Sequence, residues 1–333
     1  MKTICKLLAI CAVLTSLGFS GGCTCGFDCS SDDDESGAQV SLTLLFSGSV
    51  PDQVREVVLS VDSIEFVRDD GNITTVDTFE NAETFEIDLA AVNDQTPFTA
   101  FSDLELQPNF YDQINVRINA TTPTASFVLD EQGETKSLTV TDNVLSLNGR
   151  EFNSGNQEFV IQFGLAQALQ LLSDEEGYRL NIDGLRLQNT ASAVNLQGSI
   201  SSELLDTTTN CAAKSDPLDF NRVYIYANTP EEEALGDVFT GDSNTATEGI
   251  FAPFAVASIE ATDAADAPLE YYFSYLPTGD YLLAFACNAE DDDPIELDSI
   301  IIAEPAEQIY PLSLPTAEET FVCDLNNDVD CDL

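Results

Sequence analysis

From Val40 onward the chain alternates apolar and polar side chains with a period of two. Val40-Ser41-Leu42-Thr43-Leu44 is apolar at every second position, and Val57, Leu59 and Val61 alternate with Val58, Ser60 and Asp62 before Ile64 and Phe66 continue the run. This period puts alternate side chains on opposite faces of a strand, one toward a core and one toward water. Asp70-Gly71 supplies a hairpin turn ahead of a short strand at Ile73–Val76. Further strands are expected at Thr84–Leu89, Asp112–Ile118, Ala125–Leu129, Ser137–Val140 and Glu158–Phe163. One segment breaks the alternation. Leu165, Ala168, Leu169 and Leu172 recur at i, i+3, i+4 and i+7 ahead of Asp174-Glu175-Glu176-Gly177, which predicts one short helix near 165–173. Tyr178–Ile182 and Leu185–Leu187 return to strand.

Residues 206–220, from Asp206 through Pro217, are polar and read as a linker. A second β-rich block follows, with strands expected at Arg222–Ala227, Phe254–Glu260, Leu269–Tyr275, Asp280–Ala286 and Ser299–Ile302. The pattern therefore predicts a mainly β chain of two tandem antiparallel β-sandwich domains, 39–205 and 221–316. Residues 317–333 are acidic and are expected to form an irregular tail.

The first residues are of a different kind. Lys2 and Lys6 precede an apolar run from Leu7 to Phe19, and Ser20-Gly21-Gly22 lead into Cys23. A basic n-region, an apolar h-region and small residues at a cleavage point make a secretory signal peptide over 1–22. The run is shorter than the roughly 20 residues a membrane span needs. The residues before Cys23 resemble the lipobox of bacterial lipoproteins, with Ser20 where a typical box has Leu. That resemblance implies a lipid on Cys23, and Thr24 in place of the Asp of an inner-membrane retention signal implies the outer membrane. The competing reading is ordinary cleavage near Gly22, which would release the protein. Residues 23–38, with the run Ser30-Ser31-Asp32-Asp33-Asp34-Glu35, lack periodicity and read as an acidic flexible tether.

Cysteine and charge counts fit an exported protein. Of nine cysteines, Cys5 and Cys11 leave with the signal and Cys23 would carry the lipid. The remaining six, Cys25, Cys29, Cys211, Cys287, Cys323 and Cys331, are an even number, as a disulfide framework requires. Closeness in sequence favours Cys25–Cys29 and Cys323–Cys331, leaving Cys211–Cys287 to close the long loop. The chain carries 11 basic and 59 acidic residues, a net charge of −48. Loss of Lys2 and Lys6 leaves 9 basic residues against 59 acidic, a net charge of −50. Such a surface repels nucleic acid and anionic headgroups, so no nucleic-acid partner is expected. With 44% hydrophobic residues the chain retains the apolar mass for packed cores.

Two stretches carry family resemblances. Val57 to Phe66, Phe85-Glu86-Ile87-Asp88-Leu89 and Leu104 to Ile114 follow one another as in a family of bacterial and archaeal envelope lipoproteins, domain of unknown function 4382. The block from Val40 to about Ser202 resembles that family, with Asn109 and Phe110 where it carries a Pro/Gly turn. The second block, through Tyr272-Phe273-Ser274-Tyr275-Leu276-Pro277-Thr278-Gly279-Asp280-Tyr281, resembles the carboxypeptidase regulatory-like, or transthyretin-like, sandwich. Its Leu-Pro-x-Gly segment reads as a tight turn between strands, since Pro fixes φ and Gly allows a positive one. Neither resemblance brings a catalytic assignment.

The chain has no histidine. That removes Ser-His-Asp and Cys-His catalysis and most zinc and iron sites. No nucleophile elbow, phosphate loop or Ser-x-x-Lys is present, so no enzymatic activity and no obligatory cofactor are expected. A carboxylate-based hydrolase stays as a remote alternative, because 59 acids will place some pair at any required spacing. Calcium is the one metal the composition suits, and Asp291, Asp292 and Asp293, after a predicted strand, are the candidate ligands. The alternating Asp324, Asn326, Asp328, Asp330 and Asp332 depart from an EF-hand loop by placing Val329 where Gly is needed. The expectation is a non-catalytic, lipid-anchored cell-envelope protein, attached to the outer membrane and acting as a structural or interaction module. A calcium- or glycan-binding surface is the alternative, and an envelope protein or a glycan the partner.

Overall fold

The computed structural model describes residues 39–332 apart from 50–53, 78, 80–83, 120–124, 173–176, 206–207, 215–218, 228–233, 240–248, 262–268, 299, 316–319 and 326–329. The signal peptide, the tether, Cys23, Cys25 and Cys29 lie outside the described residues.

Thirteen strands build the first sandwich: β1 (Val40–Gly48), β2 (Val54–Arg68), β3 (Ile73–Val76), β4 (Phe85–Asp88), β5 (Phe98–Leu106), β6 (Asn109–Ile118), β7 (Phe127–Asp130), β8 (Thr135–Val140), β9 (Val144–Phe152), β10 (Gly155–Phe163), β11 (Leu169–Leu171), β12 (Gly177–Leu180) and β13 (Leu185–Asn189). One sheet runs β13-β10-β1-β5, and the other runs β11-β12-β8-β7-β2-β6-β9 with β3 and β4 also on β2. Alternate residues of both sheets meet between them. Val40, Leu42, Leu44 and Phe46 on β1 face Val57, Leu59, Val61, Ile64 and Phe66 on β2 within one buried apolar cluster.

The second sandwich is made of β14 (Ala193–Ile200), β15 (Arg222–Ala227), β16 (Ala255–Ser258), β17 (Glu260–Ala261), β18 (Leu269–Pro277), β19 (Gly279–Ala286), β20 (Ile309–Leu314), β21 (Thr320–Asp324) and β22 (Asp330–Asp332). Its sheets run β17-β18-β14-β21-β22 and β16-β15-β19-β20. The latter is covered on both faces. Val223, Ile225, Leu283 and Phe285 point into the sandwich, while Tyr224, Tyr226, Leu282 and Ala284 pack outward against Leu235, Val238, Ala289 and Ala303. Burial on both faces explains why Arg222–Ala227 reads as a nearly continuous apolar run instead of an alternating one.

The two sandwiches share one connectivity. In the first, β1 is antiparallel to β5 and parallel to β10, which is antiparallel to β13. In the second, β14 is antiparallel to β18 and parallel to β21, which is antiparallel to β22. Across the core, β2 pairs with β4 and β6, and β6 with β9. Correspondingly, β15 pairs with β16 and β19, and β19 with β20. Eight strands thus recur in the same order, with extra strands decorating the first copy.

The same corner recurs too. β5 and β6 lie in different sheets, as do β18 and β19. The two residues Gln107-Pro108 in one copy and the single Thr278 in the other therefore carry the chain across the sandwich, so the tight turn expected at Leu276-Pro277-Thr278-Gly279 joins strands of different sheets. In each copy a buried tyrosine reaches back four residues, donating Tyr111 OH to the Gln107 carbonyl at 3.0 Å and Tyr281 OH to the Pro277 carbonyl at 2.7 Å. This is the device of a tyrosine corner, with the ring in the core and the hydroxyl fastening the turn. Gly279, at φ 159°, occupies the turn position that Asn109 fills in the first copy.

Four expectations are corrected. The helix starts at Leu165 and ends after one turn at Ala168, because Leu169–Leu171 pair with β12 as β11. The first domain does not run to 205, because β14 belongs to the second pair of sheets and the boundary falls at residues 190–192. The 317–333 segment is not wholly irregular, because β21 inserts beside β14 and β22 pairs with β21. No strand forms at 300–302, and Ile309–Leu314 provides the partner of β19 instead.

Candidate functional site

Four of the six candidate disulfide cysteines are described, and all are paired. Cys211 bonds Cys287, tying the segment ahead of β15 to the end of β19, with both residues fully buried. Cys323 bonds Cys331, directly opposite it across the β21–β22 pair. Cys323–Cys331 is a pairing that closeness in sequence favoured, and Cys211–Cys287 is the one it left over.

The three aspartates nominated for calcium diverge. Asp291 is exposed, Asp292 is buried and Asp293 is partly buried. The Asp292 carboxylate accepts from Arg222 Nη1 at 2.7 Å, from Tyr224 OH at 2.6 Å and from the Val238 backbone N–H at 3.0 Å. A buried ion pair satisfied by further hydrogen bonds is a structural arrangement, since either partner alone would be an uncompensated buried charge. Asp293 accepts from the Ile295 N–H at 2.8 Å, and its own N–H donates to Asp298 at 2.7 Å. Among the described residues no three acidic or cysteine side chains converge to hold a metal ion.

The sequence reading missed the buried acid beside this turn. Asp237 is fully buried; its Oδ2 accepts the backbone N–H groups of Asp298 and Ile300, both at 3.0 Å, and its Oδ1 has no partner. Burial pushes its carboxyl up to about 6, Asp292 and Asp298 push the same way, and the two N–H donors oppose them. A lone Asp within Gly236-Asp237-Val238 carries no periodic signal that would have marked it.

The two sandwiches meet along two seams. On one, Gln167 Nε2 donates to the Pro253 carbonyl at 3.1 Å, and the Arg186 guanidinium lies 5.2 Å from the centre of the Phe254 ring. Arg186 has no carboxylate beside it among the described residues, and burial lowers its pKa to about 10. On the other seam, Asp94 of the loop after β4 accepts from Tyr272 OH and from Asn195 Nδ2 at 3.2 Å. Asn195 in turn accepts the N–H of Tyr275, whose left-handed φ of 53° marks a bulge opposite it.

Beside this second seam a cleft of about 420 Å³ opens between the sandwiches. Its floor is the outer face of β18, β14 and β21, built in two cross-strand rows: Tyr272–Gln197–Val322 and Glu270–Ser199–Asp324. Gly198 sits between the rows, and a side chain there would collide with the Cys323 carbonyl and the Tyr271 ring. The walls are the loop carrying Asn93, Asp94 and Gln95 on one side and Ser258 on the other. No lysine or arginine is among the described residues that line it.

Residues 38–181 match the family model described as Domain of unknown function (DUF4382), a stretch that covers most of the first sandwich. No curated protein matches the chain. Among solved structures, the Bacillus anthracis TIE protein is 11% identical over 87% of this chain, with a TM-score of 0.20, and this chain spans 34% of its length. A candidate adhesin from Bacteroides ovatus is 11% identical, with 93% of this chain and 99% of that one covered and a TM-score of 0.19. A candidate cell adhesion protein from Bacteroides fragilis is 8% identical, with 88% and 96% covered and a TM-score of 0.19.

Proposed function

We propose that this is a non-catalytic cell-envelope protein, anchored in the outer membrane through a lipid on Cys23 and presenting its two sandwiches as a structural or interaction module. The observation that carries the reading is the employment of the buried acids. Asp292 neutralises Arg222, and Asp237 holds the backbone of the 298–300 turn. In a chain without histidine, these two buried acids are committed to the fold and not to an acid–base pair open to solvent. The signal-like N-terminus, the remaining even set of cysteines and the match over residues 38–181 support envelope placement. No helix among the described residues is long and apolar enough to cross a membrane. The second sandwich belongs, in this reading, with carboxypeptidase regulatory-like domains, supported by the Leu276–Tyr281 corner.

Replacing Cys23 with Ser and fractionating the cells tests the anchor. The expected outcome is wild-type protein in the outer-membrane fraction with an acylated N-terminus, and the variant in the soluble fraction. A C23S protein that stays with the membrane sinks the reading.

A further inference from the structure

We propose that the cleft between the sandwiches is a saccharide site, taking a neutral, hydroxyl-rich ring laid on the β18–β14–β21 face. The inference deepens the interaction reading above and rests on it, but not on the lipid anchor. At about 420 Å³ the cleft lies within the range of about 300–1,000 Å³ usual for small-molecule sites, at a junction of domains where such sites collect.

Charge selects against anions. Asp94, Glu270 and Asp324 line the cleft with no basic residue among the described lining to offset them, so a phosphate, nucleotide or uronate would meet repulsion there. Charge does not select for cations either. Three acids among the 18 lining residues is the density of the whole chain, with 59 in 333. Two of the three are already engaged by neutral donors: Asp324 Oδ1 accepts the Ser199 N–H at 2.7 Å and its Oγ at 2.8 Å, and Asp94 holds Tyr272 and Asn195.

What remains free is an alternation of donors and acceptors. Gln197 and Glu270 are exposed, in neighbouring rows, and their side chains have no hydrogen-bond partner within the described chain. An amide beside a carboxylate suits vicinal hydroxyl groups, each of which donates and accepts at once. The apolar component is also present. Val322, 37% exposed, and Tyr272 flank Gln197 in one row, giving the C–H face of a sugar ring a strip to cover. The site is preformed: paired strands make the floor, Asp94 fastens the Tyr272 hydroxyl, and Asp324 is fixed by Ser199.

The test is calorimetric titration of the purified full chain with three matched trisaccharides, those of N-acetylglucosamine (neutral), glucosamine (cationic) and galacturonic acid (anionic), together with neutral glucose, mannose and galactose trisaccharides. At least one neutral trisaccharide should bind while the galacturonate does not. Glu270→Ala and Gln197→Ala should each weaken that binding by about tenfold, the worth of one hydrogen bond to a charged or well-placed group. Their melting temperatures should stay at the wild-type value, because neither side chain is bonded within the chain. Glu131→Ala, on the exposed β7–β8 turn, removes the same charge and should leave binding unchanged. Three results overturn the proposal: no neutral sugar bound at millimolar concentration, neutral binding that survives both substitutions, or tightest binding of the glucosamine trimer with affinity lost as salt rises. The last would identify an organic cation as the ligand.

Discussion

Asp237 makes the strongest residue-level case. Its carboxyl is buried with one oxygen unpartnered, close to Asp292 and Asp298, and its pKa is raised from the ordinary range to about 6. The folded chain therefore keeps this proton at pH values where the unfolded chain has lost it, and the stability it contributes is present at pH 4 and gone once pH passes about 6. Repulsion among 59 acids gives the whole chain a slope of the same sign, so the informative quantity is the difference between two proteins. Asp237→Asn keeps an acceptor for the Asp298 and Ile300 N–H groups and carries no charge. Its melting temperature should equal the wild type's near pH 4, rise above it between pH 4 and 6, and keep that margin at neutral pH. Parallel curves across this range would show that Asp237 stays ionised throughout. None of this was legible in the sequence, because desolvation depends on what folds over a residue, and residues 287–300 are some 50 positions away. The converse holds at Asp291–Asp293, where adjacency in sequence suggested a shared ligand set and the turn sends the three side chains to different surroundings.

At the level of elements, alternation located strands well wherever one face is wet. Ile73–Val76 occupies the residues expected, and β6 and β18 fall within a few residues of the expected bounds; Arg222–Ala227 and β19, covered on both faces, were marked by their near-continuous apolar runs instead. It failed where tertiary pairing decides. β11 took over the predicted second helical turn because Leu169, Gln170 and Leu171 had an open edge on β12 to pair with. β14 did not register as a strand although Val194, Leu196 and Ile200 alternate with Asn195, Gln197 and Ser199, because Gly198 stands in the apolar file between Leu196 and Ile200. The repeated corner was visible as Leu276-Pro277-Thr278-Gly279-Asp280-Tyr281, yet in the first copy only Leu106 and Tyr111 keep its frame. The hydroxyl bonds of Tyr111 and Tyr281 give the corners the same task. Tyr111→Phe and Tyr281→Phe should each destabilise by about 1 kcal/mol, the net worth of one hydrogen bond. The double variant should cost the sum, since the two sites share no partner. Denaturant melts of the four proteins measure this, and a Tyr281→Phe protein as stable as wild type would mean that the ring alone holds the corner.

Across the whole molecule the question is whether two sandwiches joined by residues 190–192 act as one body. The connection is too short for independent tumbling, and the seams on either side of it are of different chemistry. One is packed, with Gln167 buried and bonded to Pro253 and Arg186 lying over Phe254. The other is polar and centres on Asp94, which holds Tyr272 and Asn195 with a single oxygen. Burial, followed by that hydrogen bond to Asp94, raises the Tyr272 phenol, so the hydroxyl remains a donor across the physiological range. Cutting the polar seam leaves two donors facing a cleft that water can enter, so the loss falls on coupling between the sandwiches more than on either core. Asp94→Ala should lower stability by about 1–3 kcal/mol, the cost of deserting hydrogen-bond partners of a charged group. Combined with Gln167→Ala, which opens the packed seam, it should split the single calorimetric transition expected of the wild type into two. The sandwich closed by Cys211–Cys287 and Cys323–Cys331 should then melt at the higher temperature, because those bonds restrict its unfolded chain and the first sandwich has none among its described residues. If the double variant still melts in one step at the wild-type temperature, the seams contribute nothing to coupling, and the rigid cleft between them would be set by the three-residue connection alone.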